Sequence, residues 1–306
     1  MSKCATRIAY GKALAKLVQE NERVVVFDAD LAGSTKTAEA KKVCPQRHFD
    51  MGIAEGNMMD VAAGFAASGK IAFASSFAMF ASGRAYEQIR NTIGYPHLNV
   101  KICATHAGLS VGEDGASHQC NEDIALMRTI PGMTVVQPCD AAETMQAIAA
   151  IAEVDGPCYV RLGRFDVEDV YDENYHFELG KGVTLRKGSK VAIIATGLMV
   201  QEALAACDLV DADPTVINIH TIKPIDEELI IETAKTHDVI ITAEEHTIIG
   251  GLGSAVCDVV AEQGLGCRVY KIGVKDTYGE SGKPRELLRK YEVDAQAIAD
   301  KIKEVL

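Results

Sequence analysis

This chain of 306 residues should fold as an α/β protein with two doubly wound units. Three features carry that expectation. Apolar spacing switches repeatedly between a helix-like period and short continuous apolar runs, as in a sheet layered with helices. The runs Val24-Val25-Val26-Phe27 and Val191-Ala192-Ile193-Ile194-Ala195 suit strands buried on both faces, which are parallel-sheet strands. The alternation lapses once, in an acidic and aperiodic stretch from Phe165 to Lys181, and then resumes. Length over ~150 also suggests about two domains. We therefore expect domains at 1–165 and 186–306, joined by a linker at 166–185.

The elements follow in order. Ile8, Leu14, Leu17 and Val18 mark one face of a first helix near 5–20, and Val24–Phe27 is a strand. A helix-like segment at 54–68 precedes a strand at 70–76. Another at 80–93 precedes a strand at 99–105. A polar loop covers 106–119. A short helix near 121–129, a strand at 133–137, a helix at 141–153 and a strand at 157–162 complete the first unit. The second reads as strand 191–195, helix 198–210, strand 216–219, helix 226–236 and strand 239–242. A helix then opens near Gly250, Cys267–Tyr270 is a strand, and Asp294 caps a terminal helix that carries Ile298, Ile302 and Val305 on one face.

Charge narrows the function. Lys plus Arg number 31 against 43 Asp plus Glu, a net charge of −12. No basic run supplies the face that a nucleic-acid backbone needs, so no nucleic-acid partner is expected. A few local Arg and His still suffice for small phosphorylated substrates. The nine cysteines form no C-x-x-C pair, and most sit among apolar neighbours. They read as reduced core thiols of a cytoplasmic protein. The amino terminus lacks a signal-peptide core, and no apolar run approaches the ~18 residues of a membrane helix, so no membrane association is expected.

Three segments stand out chemically. The loop Thr105–Gln119 holds His106, His118, Glu113, Asp114 and three glycines just after an apolar strand. Open α/β sheets bind ligands at that edge. A solvated turn is the plain alternative. Glu55, in Met51-Gly-Ile-Ala-Glu-Gly, opens an apolar helix, where its charge favours the macrodipole. Phe77 and Phe80 stand three apart in a chain with few aromatics, a spacing usual for core. Gly250-Gly-Leu-Gly253 opens a helix and is a candidate anion site, although it fails G-x-G-x-x-G and close helix packing explains the glycines equally.

Taken in order, these segments resemble the pyrimidine-binding half of a transketolase. Gly-Ile-Ala-Glu55-Gly, Phe77-Ala-Met-Phe80, Thr105-His106 and Gly112-Glu-Asp114-Gly-Ala-Ser-His118-Gln carry the resemblance. Asp28-Ala-Asp30-Leu31-Ala-Gly-Ser34, Ala5-Thr6-Arg7 and Arg161-Leu-Gly-Arg164 are similar to further family segments. Thr221-Ile-Lys-Pro-Ile-Asp226 resembles a segment of the family's carboxyl-terminal domain. The fold implied is a thiamine diphosphate pyrimidine-binding domain followed by a transketolase C-terminal domain.

The resemblance implies that Glu55 hydrogen-bonds the cofactor's pyrimidine, with Phe77 and Phe80 as its aromatic wall and Asp30 nearby. It implies that His118 contacts the reacting carbonyl or hydroxyl and Asp114 reads a substrate hydroxyl. It places Arg7, Ser34, His106 and Arg164 at a substrate phosphate. Gly83 departs from the pattern, since many transketolases carry Tyr there. Gly-Asp-Gly, the family's diphosphate motif, is absent from the chain. The chain therefore resembles the carboxyl-terminal subunit of a split transketolase. The resemblance implies an N-terminal subunit as partner, α2β2 assembly, sugar phosphate substrates, and Mg²⁺ or a similar cation held mainly by the partner, with no metal ligand here. The beta subunit of a 2-oxoacid dehydrogenase decarboxylating component, a deoxyxylulose-phosphate synthase fragment and a non-catalytic subunit of the same fold are the competing readings.

Overall fold

A computed structural model describes residues 3–172 and 174–306. Seven strands form the first sheet, in the order Thr221–Lys223, Thr134–Val136, Cys158–Arg161, Val100–Thr105, Ile71–Phe77, Val24–Asp28, His48–Asp50. All its pairings are parallel except the first. The second sheet runs Arg268–Val274, Val239–Thr247, Val191–Ala195, Thr215–Asn218, Val183–Arg186, and only the last pairing is antiparallel. Strands 24–28, 71–77, 100–105 and 191–195 are buried at every residue, as apolar runs covered on both faces must be.

Each face of the first sheet has its own core. Tyr10, Leu14 and Val18 of helix Thr6–Glu20 pack with Ile148 and Ile151 of helix Ala141–Ala152 on one side. Met58, Met59 and Ala62 of helix Glu55–Ala67 pack with Ile89, Ile93 and Met127 on the other. Truncating a fully buried residue such as Leu14 to Ala should cost about 2–5 kcal/mol. Asp140, Asp226 and Asp294 each accept the backbone N–H three residues on and so fix where helices start.

Several elements differ from the sequence reading. The stretch 80–93 is not one regular helix. It comprises two π-helical segments, Met79–Arg84 and Ile89–Gly94, around the short helix Tyr86–Gln88. Tyr95 N donates to Arg90 O at 2.9 Å, five residues back, which is π geometry. Asp166–Glu168 pairs with Lys3–Ala5, and Val183–Arg186 joins the second sheet, so the aperiodic connection carries two strands. Thr221–Lys223 lies at the edge of the first sheet, although it follows the start of the second in sequence. The polar loop contains a 3₁₀ segment, Leu109–Asp114.

The two units grip each other around that loop. Thr247 N donates to Asn121 O at 2.7 Å, Ser110 N to the Glu245 carboxylate at 2.5 Å, and Arg161 Nη2 to Glu245 O at 2.9 Å. A Cβ at Gly108, where φ is +80°, would stand 2.4 Å from Glu245 Cδ. Glycine is required there both for its backbone and for the close approach.

The glycine-opened helix Leu252–Glu262 is not available to an outside anion. The buried Glu244 carboxylate accepts from Leu252 N at 2.7 Å and from Gly253 N at 2.8 Å. A Cβ at Gly251 would meet Glu244 Oε2 at 2.0 Å, so the glycines admit the chain's own carboxylate. The nine cysteines are free thiols, six of them buried. Among the described residues no helix is long and apolar enough to cross a membrane.

Candidate active site

Parallel strands deliver their following loops to one edge, and the segments carrying Ser34, Glu55, Phe80, His106 and Arg164 each follow a strand of the first sheet. Asp28, at the end of its strand, organises the first loop. Its carboxylate accepts from Leu31 N (2.5 Å), Thr35 Oγ1 (2.9 Å) and Thr37 Oγ1 (2.9 Å). This fixes the short turn carrying Ser34. Arg7 Nη1 then donates to the Ser34 carbonyl at 2.7 Å, so the contact is to Ser34 backbone and not to its hydroxyl. Asp30 adopts φ +61° and is held through its own N–H to Asp50 Oδ1 at 3.0 Å.

An aromatic cluster fills the middle of the edge. Phe77 and Phe80 stack at 5.8 Å between centroids. His106 lies flat on Phe77 at 3.8 Å, and His118 meets Phe80 edge-on at 5.3 Å. Such ring pairs add about 0.5–1.5 kcal/mol beyond burial and hold one another's orientation. Glu55 borders the cluster. It is 2% exposed, at the first turn of its helix, and Arg84 Nη1 donates to both its oxygens at 2.9 Å. Arg84 in turn lies over Phe80, its Cζ 4.7 Å from the ring centre.

A cationic corner adjoins His106. Burial, with the nearby Arg7 and Arg164 guanidinium groups, pushes the His106 pKa down to about 3. His106 is therefore a neutral imidazole at physiological pH, with Nδ1 bonded to Thr105 Oγ1 at 2.8 Å. Burial and the Arg164 charge also lower the Arg7 pKa. Among the described residues Arg7 Nε is buried without a hydrogen-bond partner, and Arg164 donates to Val111 O and, at 3.4 Å, to Glu113 Oε2. Two adjacent guanidinium groups repel each other, and an anion between them would relieve that.

The structure thus brings Phe77, Phe80, His106 and His118 into one ring cluster, with Glu55 tied to it through Arg84, Arg7 and Arg164 near His106, and Ser34 held to Arg7 through its carbonyl. Among the described residues no hydrogen bond, ion pair or ring contact joins Asp30 or Asp114 to the ring cluster; Asp114 is exposed on the Leu109–Asp114 segment. Sequence reasoning missed Arg84, although Arg84 follows Gly83, the position already marked as departing from the family pattern. It also missed the support role of Arg161. That guanidinium is fully buried, bonds Asp123 through Nε (2.9 Å), and tethers Cys120 O (3.2 Å). Arg161 and Arg164 share one motif but do opposite work. No cluster of three or more His, Cys, Asp or Glu is placed to hold a metal ion among the described residues.

Comparison with known proteins settles the family. The family model described as Transketolase, pyrimidine binding domain, matches residues 2–168, and Transketolase, C-terminal domain, matches 180–298. The chain belongs to the transketolase family. A relative in Methanocaldococcus jannaschii, provisionally named a transketolase C-terminal section, is 52% identical over 97% of this chain and 95% of its own. The 6-deoxy-6-sulfo-D-fructose transketolase subunit SqwH of a Clostridium strain is 40% identical over 98% of this chain and 94% of its own. Human transketolase is 38% identical over 98% of this chain but only 49% of its own length. A solved split-gene transketolase, captured as an inactive β4 tetramer, matches at 50% identity and TM-score 0.91 over 98% of this chain and 97% of its own. The chain thus corresponds to the carboxyl-terminal section of transketolases, with the α/β fold of that thiamine diphosphate-dependent family. These matches do not favour the 2-oxoacid dehydrogenase reading.

Proposed function

We propose that this chain is the carboxyl-terminal subunit of a two-chain transketolase that moves a two-carbon ketol unit from a ketose phosphate to an aldose phosphate. The observation that carries the reading is the buried Glu55 carboxylate, joined through Arg84 to Phe80 in the Phe77, Phe80 and His118 ring cluster at the sheet edge. An aminopyrimidine fits this set, since it needs one carboxyl group for a ring nitrogen and a flat apolar wall. Glu55, Phe77 and Phe80 would hold that ring, with Asp30 at the margin. When bound, thiamine diphosphate supplies the carbon nucleophile that cleaves a ketose and carries its ketol unit.

The chain's own residues divide the remaining work. Glu55 holds a proton between its Oε and the ring nitrogen, which is general acid–base chemistry. His118 is half-buried, with Nδ1 on Ser117 Oγ at 3.0 Å, and presents its other nitrogen to a substrate hydroxyl or carbonyl. Asp114 reads a further hydroxyl. Arg7 and Arg164 pair a terminal phosphate, where the planar guanidinium fork suits its oxygens. Ser34 and neutral His106 add uncharged hydrogen bonds there. A sulfonate is also tetrahedral and anionic, and the relationship to a sulfofructose transketolase subunit makes it the second substrate class to test.

We assign residues 1–165 to the pyrimidine-binding domain and 186–306 to the C-terminal domain, with 166–185 joining them. The diphosphate and its Mg²⁺ fall to an N-terminal partner carrying Gly-Asp-Gly, in an α2β2 assembly within the pentose phosphate pathway of the cytoplasm. The absence of Gly-Asp-Gly here and the inactive β4 form of a relative support that division. The test is Glu55→Gln in the assembled enzyme. Turnover should fall at least 100-fold, a loss of about 2.7 kcal/mol in barrier terms, with the chain still folded. Turnover within a few-fold of the parent would remove Glu55 from catalysis.

A further inference from the structure

We propose that Arg84 occupies the pyrimidine seat of the unassembled chain and is a positioning residue that the incoming ring must displace. The inference rests on the assignment of Glu55 and Phe80 to that ring. Three observations converge on it. Arg84 Nη1 stands 2.9 Å from both Glu55 oxygens, the atoms assigned to the ring nitrogen. Its guanidinium lies 4.7 Å over Phe80, the wall on which the ring would pack. The side chain is 53% exposed while Glu55 is 2% exposed, so Arg84 reaches inward from the surface and has room to leave.

Chemistry explains why this side chain serves. A guanidinium is planar, bears N–H donors at its edge and stacks on aromatic faces. An aminopyrimidine has the same three properties. Glu55, buried and bonded to no other described residue, would otherwise be an uncompensated charge. Arg84 therefore keeps the empty seat stable. An incoming ring takes over both the stacking face on Phe80 and the hydrogen bond to Glu55. The π-helical segment Met79–Arg84 puts Phe80 and Arg84 on one local surface.

The test is isothermal titration of the purified chain with 4-amino-5-hydroxymethyl-2-methylpyrimidine. This is the cofactor's ring without its diphosphate, so the partner's half-site is not needed. Arg84→Ala should bind the ring about three- to tenfold more tightly than the parent, because the competent fraction of seats rises. Adding Glu55→Gln should erase the gain. Arg84→Gln, which keeps bulk without charge, should also tighten binding, and melting curves check that each variant is folded. Affinity unchanged or weakened in both Arg84 variants, or no detectable binding by any of them, would overturn the proposal. A separate arm measures thiamine diphosphate binding by the assembled two-chain enzyme with Glu55→Gln and Phe80→Ala. If neither change weakens it, the seat assignment itself fails, independently of Arg84.

Discussion

Replacing Asp123 by Asn should loosen the loop that carries His118, and the structure sets the size of the effect. Asp123 and Arg161 are both fully buried, with Arg161 Nε 2.9 and 3.1 Å from the two carboxylate oxygens. Tyr159 Oη also donates to Asp123, at 2.7 Å. Breaking a buried pair by removing one partner costs about 3–5 kcal/mol, because the other charge is left without compensation. Here Cys120 O and Glu245 O still accept from Arg161 Nη2. That residual support puts Asp123→Asn at the low end, about 3 kcal/mol. With a urea slope of about 3 kcal/mol/M, the unfolding midpoint followed by circular dichroism should fall by about 1 M. Asp123→Leu combined with Arg161→Met should not recover the loss, since Tyr159 Oη and Glu245 O would then lose their buried partners as well. A midpoint shift below about 0.3 M for Asp123→Asn would refute the reasoning.

Other outcomes follow from the same geometry. Arg164→Ala should raise the KM for a phosphorylated substrate about 10- to 100-fold while leaving kcat nearly unchanged, as expected when a charge-assisted contact is lost; steady-state kinetics with and without the phosphate would show it. Burial raises the Glu245 pKa to about 7, from an ordinary 4.5. The folded state thus holds that proton more tightly than the unfolded state, and stability from Glu245 is lost as pH rises from about 4.5 to 7. Glu245→Gln should therefore gain about 2–3 kcal/mol on its parent between pH 5 and pH 8, read from urea curves at both values. His106 and His220, whose pKa values burial lowers to about 3 and 4, act in the opposite sense below pH 6.5, but they cancel in the variant-minus-parent difference.

Much of this arrangement is legible in the sequence, for local reasons. Buried parallel strands are apolar at every position, so Val24–Phe27 and Val191–Ala195 announce themselves. Asp294 marks its helix because a short acceptor side chain must meet the third N–H on, here Ala297 N at 2.9 Å. The polar loop 105–119 is legible because sheet edges expose polar loops after apolar strands, whereas Glu55, Phe77, Phe80, Arg7, Ser34 and Arg164 are singled out by the family resemblance. What stayed hidden depends on distant partners. Thr221–Lys223 has too few residues to show which sheet it joins. The helical spacing of 80–93 does not distinguish π turns from α turns. Gly250–Gly253 reads as an open anion site until Glu244, eight residues before Leu252, is seen bonded into it. Arg84 looks like an ordinary surface charge until the fold sets Glu55 beneath it. Asp30 and Asp114 carry site expectations that their present contacts neither use nor replace.

Ketol transfer should require this chain and a diphosphate-binding partner together. The direct measurement is a coupled assay from xylulose 5-phosphate to ribose 5-phosphate, with thiamine diphosphate and Mg²⁺, for the chain alone and co-purified with that partner. Turnover only in the two-chain complex is the predicted result. Turnover by the rigorously purified chain alone, or none from a verified complex with either phosphorylated or sulfonated sugars, would contradict it.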